Sequence, residues 1–254
     1  MPVAVVTLSR NEADIIESWV RHTLAEDVDR IYIADGISTD GTREILDELA
    51  GETGQIVVID DTEQYCLQAQ WMNRLAAMAG EDGFQWIIAS DVDEFWYACD
   101  GRTIAEVLET VEVDRINARS YQHHDWNTRQ VEPKRLPKVC FRWRSDAHLV
   151  MGNHDVSGVG GGAYGIMDLR EYQFRSFDHY CAKVRARLAT LEPAARARGD
   201  GWHYIRLQDK TESELRDEWN QMMATPVILD PIPTHLPSVS SYLCGDRRTL
   251  LTSA

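Results

Sequence analysis

Asp91, Val92, Asp93 and Glu94 stand directly after the apolar run Trp86–Ala89 and directly before Phe95 and Trp96. Carboxylates are rarely left at the end of a buried strand without a partner. In an extended chain Asp91 and Asp93, two apart, point to one side while Val92 points into the core. That pairing suits a divalent cation held by oxygen. Mg²⁺ and Mn²⁺ take one or two carboxylates and complete their shell with water and the oxygens of a diphosphate. The alternative is an acidic turn facing water. The apolar residues on both sides of the triplet favour the site.

The elements that would position this site alternate. Val3–Leu8 is a continuous apolar run of parallel-strand type. Ile15, Ile16, Trp19, Val20 and Leu24 then recur at helical spacing, with Ser9 or Asn11 as candidate caps. Arg30–Ala34 reads as a second strand that ends in the small polar loop Asp35–Thr42. A helix over Thr42–Leu49, a strand over Gln55–Ile59 and a helix over Leu67–Met78 lead to the strand before Asp91. Right-handed crossovers make such an alternation a parallel sheet covered on both faces, with ligands bound beyond the carboxyl ends of its strands. Those ends carry Thr7–Glu12, Asp35–Gly41, Asp60-Asp61 and Asp91–Glu94.

Beyond Trp96 the spacing predicts a short helix from Thr103, a strand near Arg115–Tyr121, and a strand over Lys138–Trp143. A glycine-rich stretch, Gly158–Gly165, follows, either a loop that orders over a ligand or a hairpin tip. Tyr180, Val184, Leu188 and Leu191 mark one face of an Arg-rich helix; its Lys183, Arg185 and Arg187 read as a solvated face, with phosphate binding the alternative. A last helix spans Thr211–Met223. The proline-containing segment 225–254 reads as an extended tail.

With 26 Lys and Arg against 41 Asp and Glu, the net charge of −15 speaks against nucleic-acid or anionic-membrane partners. No apolar run reaches the length of a membrane span, and the first residues enter a strand without a signal-peptide pattern, so a cytoplasmic location is expected. Five widely spaced cysteines with no Cys-x-x-Cys pair suggest neither a disulfide framework nor a zinc site.

The opening Val-Thr-Leu-Ser-Arg-Asn-Glu-Ala-Asp-Ile-Ile-Glu-Ser-Trp, the later Tyr-Ile-Ala-Asp-Gly-Ile-Ser-Thr-Asp-Gly-Thr, and Asp-Val-Asp-Glu-Phe at Asp91–Phe95 together resemble the nucleotide-binding half of family 2 glycosyltransferases. The subgroup it most resembles carries an Asp-x-Asp-Glu-Phe metal motif. The resemblance spans roughly residues 3–97 and continues more weakly through 138–156 and 170–191. It implies a GT-A (Rossmann-like) α/β fold, with a mostly parallel central sheet, helices on both faces and a C-terminal helical and extended appendage. Residues 1–224 would form a single catalytic domain, 1–97 binding the nucleotide and 98–224 the acceptor, with 225–254 as the tail.

The same resemblance implies roles. Thr7, Leu8 and Arg10 would frame the base and ribose, Glu12 would support the turn, and Asp35 would accept a hydrogen bond from the base. Gln70 or Asn73 would face the donor. Asp91 would touch the ribose or a metal-bound water, Asp93 would ligate Mn²⁺ or Mg²⁺, and His154, in a Gly-x-His, would complete the metal shell. His124 and Trp126 would border the acceptor. Each has a plainer structural alternative, such as a cap, an exposed helix face or a backbone-bonded histidine. Glu171 departs from the pattern, because relatives carry His there.

The activity implied is transfer of a sugar from a nucleoside diphosphate, uridine favoured, to an acceptor hydroxyl or amine with inversion. That reaction needs one general base, for which Asp155 and Asp125 are candidates because their loops should reach the same sheet edge. Three other readings fit less well. Haloacid dehalogenase-type phosphatases place such a motif on the first strand and follow it with small residues. A sugar-nucleotide pyrophosphorylase would have a Gly-rich basic loop after strand one. A non-catalytic binding module has no need of the metal carboxylates.

Overall fold

The computed structural model describes residues 1–63, 65, 67–125, 127–199 and 201–230. The alternation read from the sequence is present. Strand β1 (Val3–Ser9), helix α1 (Ile16–Ala25), β2 (Arg30–Asp35), α2 (Thr42–Thr53), β3 (Ile56–Asp60), α3 (Gln68–Glu81) and β4 (Trp86–Ala89) follow one another. One helix start differs from expectation. Neither Ser9 nor Asn11 caps α1; the Glu12 carbonyl accepts from the Ile15 and Ile16 amides instead, and Asn11, at φ +56°, accepts from the Thr39 amide.

Then come β5 (Glu94–Ala98), α4 (Ile104–Thr110), β6 (Arg115–Gln122), β7 (Thr128–Gln130), β8 (Lys138–Arg142), β9 (His148–Val150), β10 (Asp155–Ser157) and β11 (Met167–Glu171). Helices α5 (Phe177–Thr190), α6 (Pro193–Ala197), α7 (Trp202–Ile205) and α8 (Glu212–Met223) precede a short β12 (Val227–Leu229). Within the expected tail, 225–230 thus includes a strand, paired antiparallel with β7; residues 231–254 lie outside those described.

Eight strands form the central sheet in the order β3-β2-β1-β4-β8-β6-β11-β5. Its first four run parallel, β8 is antiparallel to both neighbours, and β5 closes the far edge antiparallel to β11. The near-continuous apolar character of β1, β2 and β4 matches their burial on both faces. One apolar cluster, including Trp19, Trp86 and Phe95, packs α1, α2 and α4 on one face. A second, including Met72, Leu75 and Phe141, packs α3 on the other. A third, separate cluster joins α5 to Leu207 and Leu215.

Helix α1 also ties β5 down. Trp19 Nε1 donates to the Glu94 carbonyl at 2.9 Å, and the His22 ring lies 2.7 Å from the Trp96 carbonyl. The glycine-rich stretch is partly ordered along β6: the Ala163 amide donates to Arg115 and its carbonyl accepts from Asn117.

One buried acid in this framework carries a stability prediction. Glu26, fully buried, accepts from the Ile104 amide at 3.0 Å. Burial pushes its carboxyl up from 4.5 to about 7. Because the folded state holds this proton more tightly than the unfolded chain, the contribution is complete below pH 4.5 and is lost as pH rises through about 7. Glu26→Gln should therefore match the native protein near pH 4 and exceed it at pH 8 by up to about 3 kcal/mol. Urea unfolding at the two pH values checks this, and equal differences at both would refute it.

Candidate active site

The carboxyl ends of β1, β2 and β4 open into a cleft of about 230 Å³, roofed by α5. Its sheet side is built by Leu8, Arg10 and Glu12 after β1, Gly36 after β2, and Asp91 and Asp93 after β4. Its helix side is built by His179, Lys183 and Arg187, which share one face at i, i+4 and i+8. The Ser176 hydroxyl, accepting from the His179 amide at 3.1 Å, fixes where this helix starts.

Between β4 and β5 the backbone turns at Val92 and Asp93 instead of staying extended, yet Val92 is buried in the core as expected. The turn gathers Asp91, Asp93 and Glu94 so that one oxygen from each lies within 4.8 Å of the others. Two ammonium groups meet them. Lys138 Nζ stands 2.8 Å from Asp91, 2.6 Å from Glu94 and 2.7 Å from the Asn153 side-chain oxygen. Lys183 Nζ stands 2.5 Å from Asp93 and 3.6 Å from Glu12.

These charges settle the ionisation. Burial opposes the charge at Asp91 and Asp93, but Lys138 and Lys183 outweigh it and hold both carboxyls below their usual range. At Glu94 burial wins over Lys138 and raises the carboxyl well above it. Around the mouth, Arg175 joins Glu12 at 2.6 Å, Asp14 at 2.6 Å and the His179 ring at 2.8 Å. Burial, with Arg175 and Lys183 adding to it, lowers His179 to about 4, so the ring is neutral at pH 7. The two ionised carboxylates, Asp91 and Asp93, with Glu94 beside them, offer the oxygen donors that Mg²⁺ or Mn²⁺ take.

Of the residues expected to bind nucleotide, Leu8, Arg10, Glu12 and Asp91 line the cleft. Thr7 is buried within β1, and Asp35, buried at the end of β2, accepts from the Ser38 hydroxyl at 2.5 Å. Gln70 is exposed and outside the lining. Gln68, one half-turn earlier on α3, faces the cleft and donates to Asp91 at 2.9 Å. Asn73 bonds both backbone groups of Leu149 and so fastens β9 to α3.

His154 stands outside the carboxylate cluster, its Nδ1 2.9 Å from the Pro137 carbonyl. Asp155 pairs with Arg115 at 2.6 Å, and Asp125 accepts from the Asn127 and Thr128 amides; neither lines the cleft. His124 lies by Gln130 at 3.3 Å. Trp126 falls outside the described residues.

Several site residues went unassigned in the sequence. Lys138 is a buried charge opening an apolar strand, a signal that it needs an anionic partner. Lys183 is not on a solvated face: its side chain is 11% exposed and enters the cleft, whereas Arg185 is exposed as expected. Glu171 is buried at the cleft with Lys134 Nζ 2.6 Å away and the Ser120 hydroxyl donating to its other oxygen.

A parallel β3-β2-β1-β4 half, an antiparallel β8 and an acidic turn beyond the carboxyl end of β4 give the chain a GT-A-type α/β fold. Residues 4–114 match the model of glycosyl transferase family 2. No curated protein matches the chain in sequence.

Among solved structures, the chain is similar to S. aureus TarS 1-349 in complex with UDP-GlcNAc, at 11% identity and a TM-score of 0.48, covering 85% of this chain and 69% of that one. It is also similar to the mannosyltransferase PcManGT from Pyrobaculum calidifontis in complex with GDP-Man and Mn²⁺, at 15% identity and a TM-score of 0.46, covering 97% and 75%. A third likeness is to glucosyl-3-phosphoglycerate synthase from Mycobacterium tuberculosis in complex with Mn²⁺, UDP and phosphoglyceric acid, at 19% identity and a TM-score of 0.34, covering 48% and 44%. No helix among the described residues is long and apolar enough to cross a membrane.

Proposed function

We propose that this chain transfers a sugar from a nucleoside diphosphate, uridine-linked, to an acceptor hydroxyl or amine with inversion at the anomeric carbon. The observation that carries this reading is the cleft itself. It has a wall of Leu8, Ser9, Arg10 and Gly36 after β1 and β2, and its floor and roof carry charge of both signs, the carboxylates Asp91 and Asp93 together with the cations Lys183 and Arg187. A diphosphate with a divalent cation needs both.

Asp91 and Asp93, with Glu94 beside them, would hold the cation, whose contribution is to neutralise charge on the departing diphosphate. Leu8 and Gly36 bound the space for the nucleoside, Arg10 supplies a polar group beside it, and Asp35, buried behind Gly36, stays proposed as the hydrogen-bond acceptor for the base. The acceptor oxygen attacks the sugar's anomeric carbon as the bond to the diphosphate oxygen breaks. Its electron pair leaves with the diphosphate, and the acceptor's proton must go to a base.

We place that base at Glu171. It lines the cleft, pairs in register with Glu94 across β5 and β11, and is oriented by Ser120 and Lys134. Asp125 and Asp155 are held in a turn and an ion pair outside the lining, so either would have to move to take the proton. His124 and Trp126 stay proposed as acceptor contacts, and His154 as a further metal ligand.

Calorimetric titration of UDP, GDP and dTDP with and without Mn²⁺ tests the reading. Metal-dependent binding of UDP is the expected result. If no nucleoside diphosphate binds with metal present, the proposal fails; if GDP or dTDP binds in place of UDP, the base assignment alone changes.

A further inference from the structure

Lys183 holds the carboxylate of Asp93, a member of the cluster that could hold a metal ion. Its Nζ lies 2.5 Å from Asp93 Oδ2 and 3.3 Å from the Gln173 carbonyl, in a side chain 11% exposed. The helix that carries it is not part of the sheet's own core. The apolar face of α5 packs into a separate cluster with Leu207 and Leu215, while polar links cross the cleft: Lys183 to Asp93 and Glu12, and Arg175 to Glu12 and Asp14.

Resting on the donor reading above, we propose that Lys183 is a built-in counter-cation of Asp93 that is exchanged on donor binding. Its ammonium leaves Asp93 for the donor's diphosphate, and the vacated carboxylate takes the divalent cation. Bound to Asp93, Lys183 keeps a buried carboxylate compensated and lowers the site's affinity for metal alone. A diphosphate gives the displaced ammonium a new anionic partner, so metal and nucleotide bind as a linked pair. Arg187, on the same face of α5, also lines the cleft.

The linkage has a signature that a merely structural lysine would not produce. In Lys183→Met, Mn²⁺ titrated without nucleotide should bind tighter by on the order of tenfold, while UDP at saturating Mn²⁺ should bind weaker by a similar factor. Lys183→Arg should keep Mn²⁺ binding weak, and Arg185→Ala, outside the cleft, should change neither value. Thermal unfolding of each variant verifies that it is folded.

Should Lys183→Met not fold, Lys183→Gln carries the same test, with Mn²⁺ binding in the absence of nucleotide again expected tighter on the order of tenfold. Unchanged or weaker Mn²⁺ binding in the folded variant, or Mn²⁺ affinity indifferent to UDP in the native protein, would overturn the exchange. Native protein that binds no nucleotide would instead overturn the donor reading, and the nucleotide-free Mn²⁺ titrations would still decide whether Lys183 competes for Asp93.

Discussion

Asp93→Asn should abolish metal-dependent nucleotide binding and lower sugar transfer about 10³-fold, the equivalent of several kcal/mol of charge stabilisation. Asp93 belongs to the carboxylate cluster, and Lys183 holds it ionised against burial. An amide of the same shape keeps an oxygen but loses the charge that a divalent cation requires. The substitution also weakens the setting of Lys183, a buried ammonium then left with the Gln173 carbonyl at 3.3 Å and Glu12 at 3.6 Å, so some loss of stability accompanies it. Circular dichroism at the assay temperature separates the two effects. A folded Asp93→Asn protein that retains metal-dependent binding would remove Asp93 from the metal site.

Glu171→Gln should leave nucleotide affinity within about twofold and reduce turnover by about 10²- to 10⁴-fold, the usual contribution of a positioned general base. Glutamine fills the same space and can still accept from Ser120, but it takes no proton. Lys134 loses its ion pair in the variant but keeps the Gln173 side-chain oxygen at 2.8 Å. Asp125→Asn and Asp155→Asn, made in parallel, decide between the alternatives. Should one of these collapse turnover while Glu171→Gln stays active, the base belongs to that loop, and the loop must close over the acceptor.

The contrast between these residues shows what local pattern can and cannot carry. The first half of the sheet was legible because β1, β2 and β4 are short apolar runs buried on both faces, and each ends in polar residues that a parallel sheet collects on one edge. Asp91 and Asp93 were found for that reason. Strand β11, Met-Asp-Leu-Arg-Glu, was not legible. Three of its five residues are charged, and all five are buried because Asp168 pairs with Arg119, Arg170 with Asp230 and Glu171 with Lys134, partners 37 to 60 positions away. Lys183 was misread for a related cause. Its helix shows the expected apolar stripe, but the opposite face meets Asp93, ninety residues earlier, and not water. Gln68 and Gln70 differ only in helical phase, which spacing alone leaves undetermined by a residue or two at a helix's first turn.

The central claim, sugar transfer from a nucleoside diphosphate, is tested most directly by incubating the chain with UDP-sugars and GDP-sugars, Mn²⁺ and a mixture of hydroxyl and amine acceptors. Free nucleoside diphosphate is then measured by chromatography, and the acceptors by mass spectrometry. The account predicts metal-dependent release of UDP from a UDP-sugar, matched by an acceptor heavier by one sugar, with neither product above background for Asp93→Asn. Release equal in the native and Asp93→Asn proteins, or consumption of none of the donors under any condition, would contradict it.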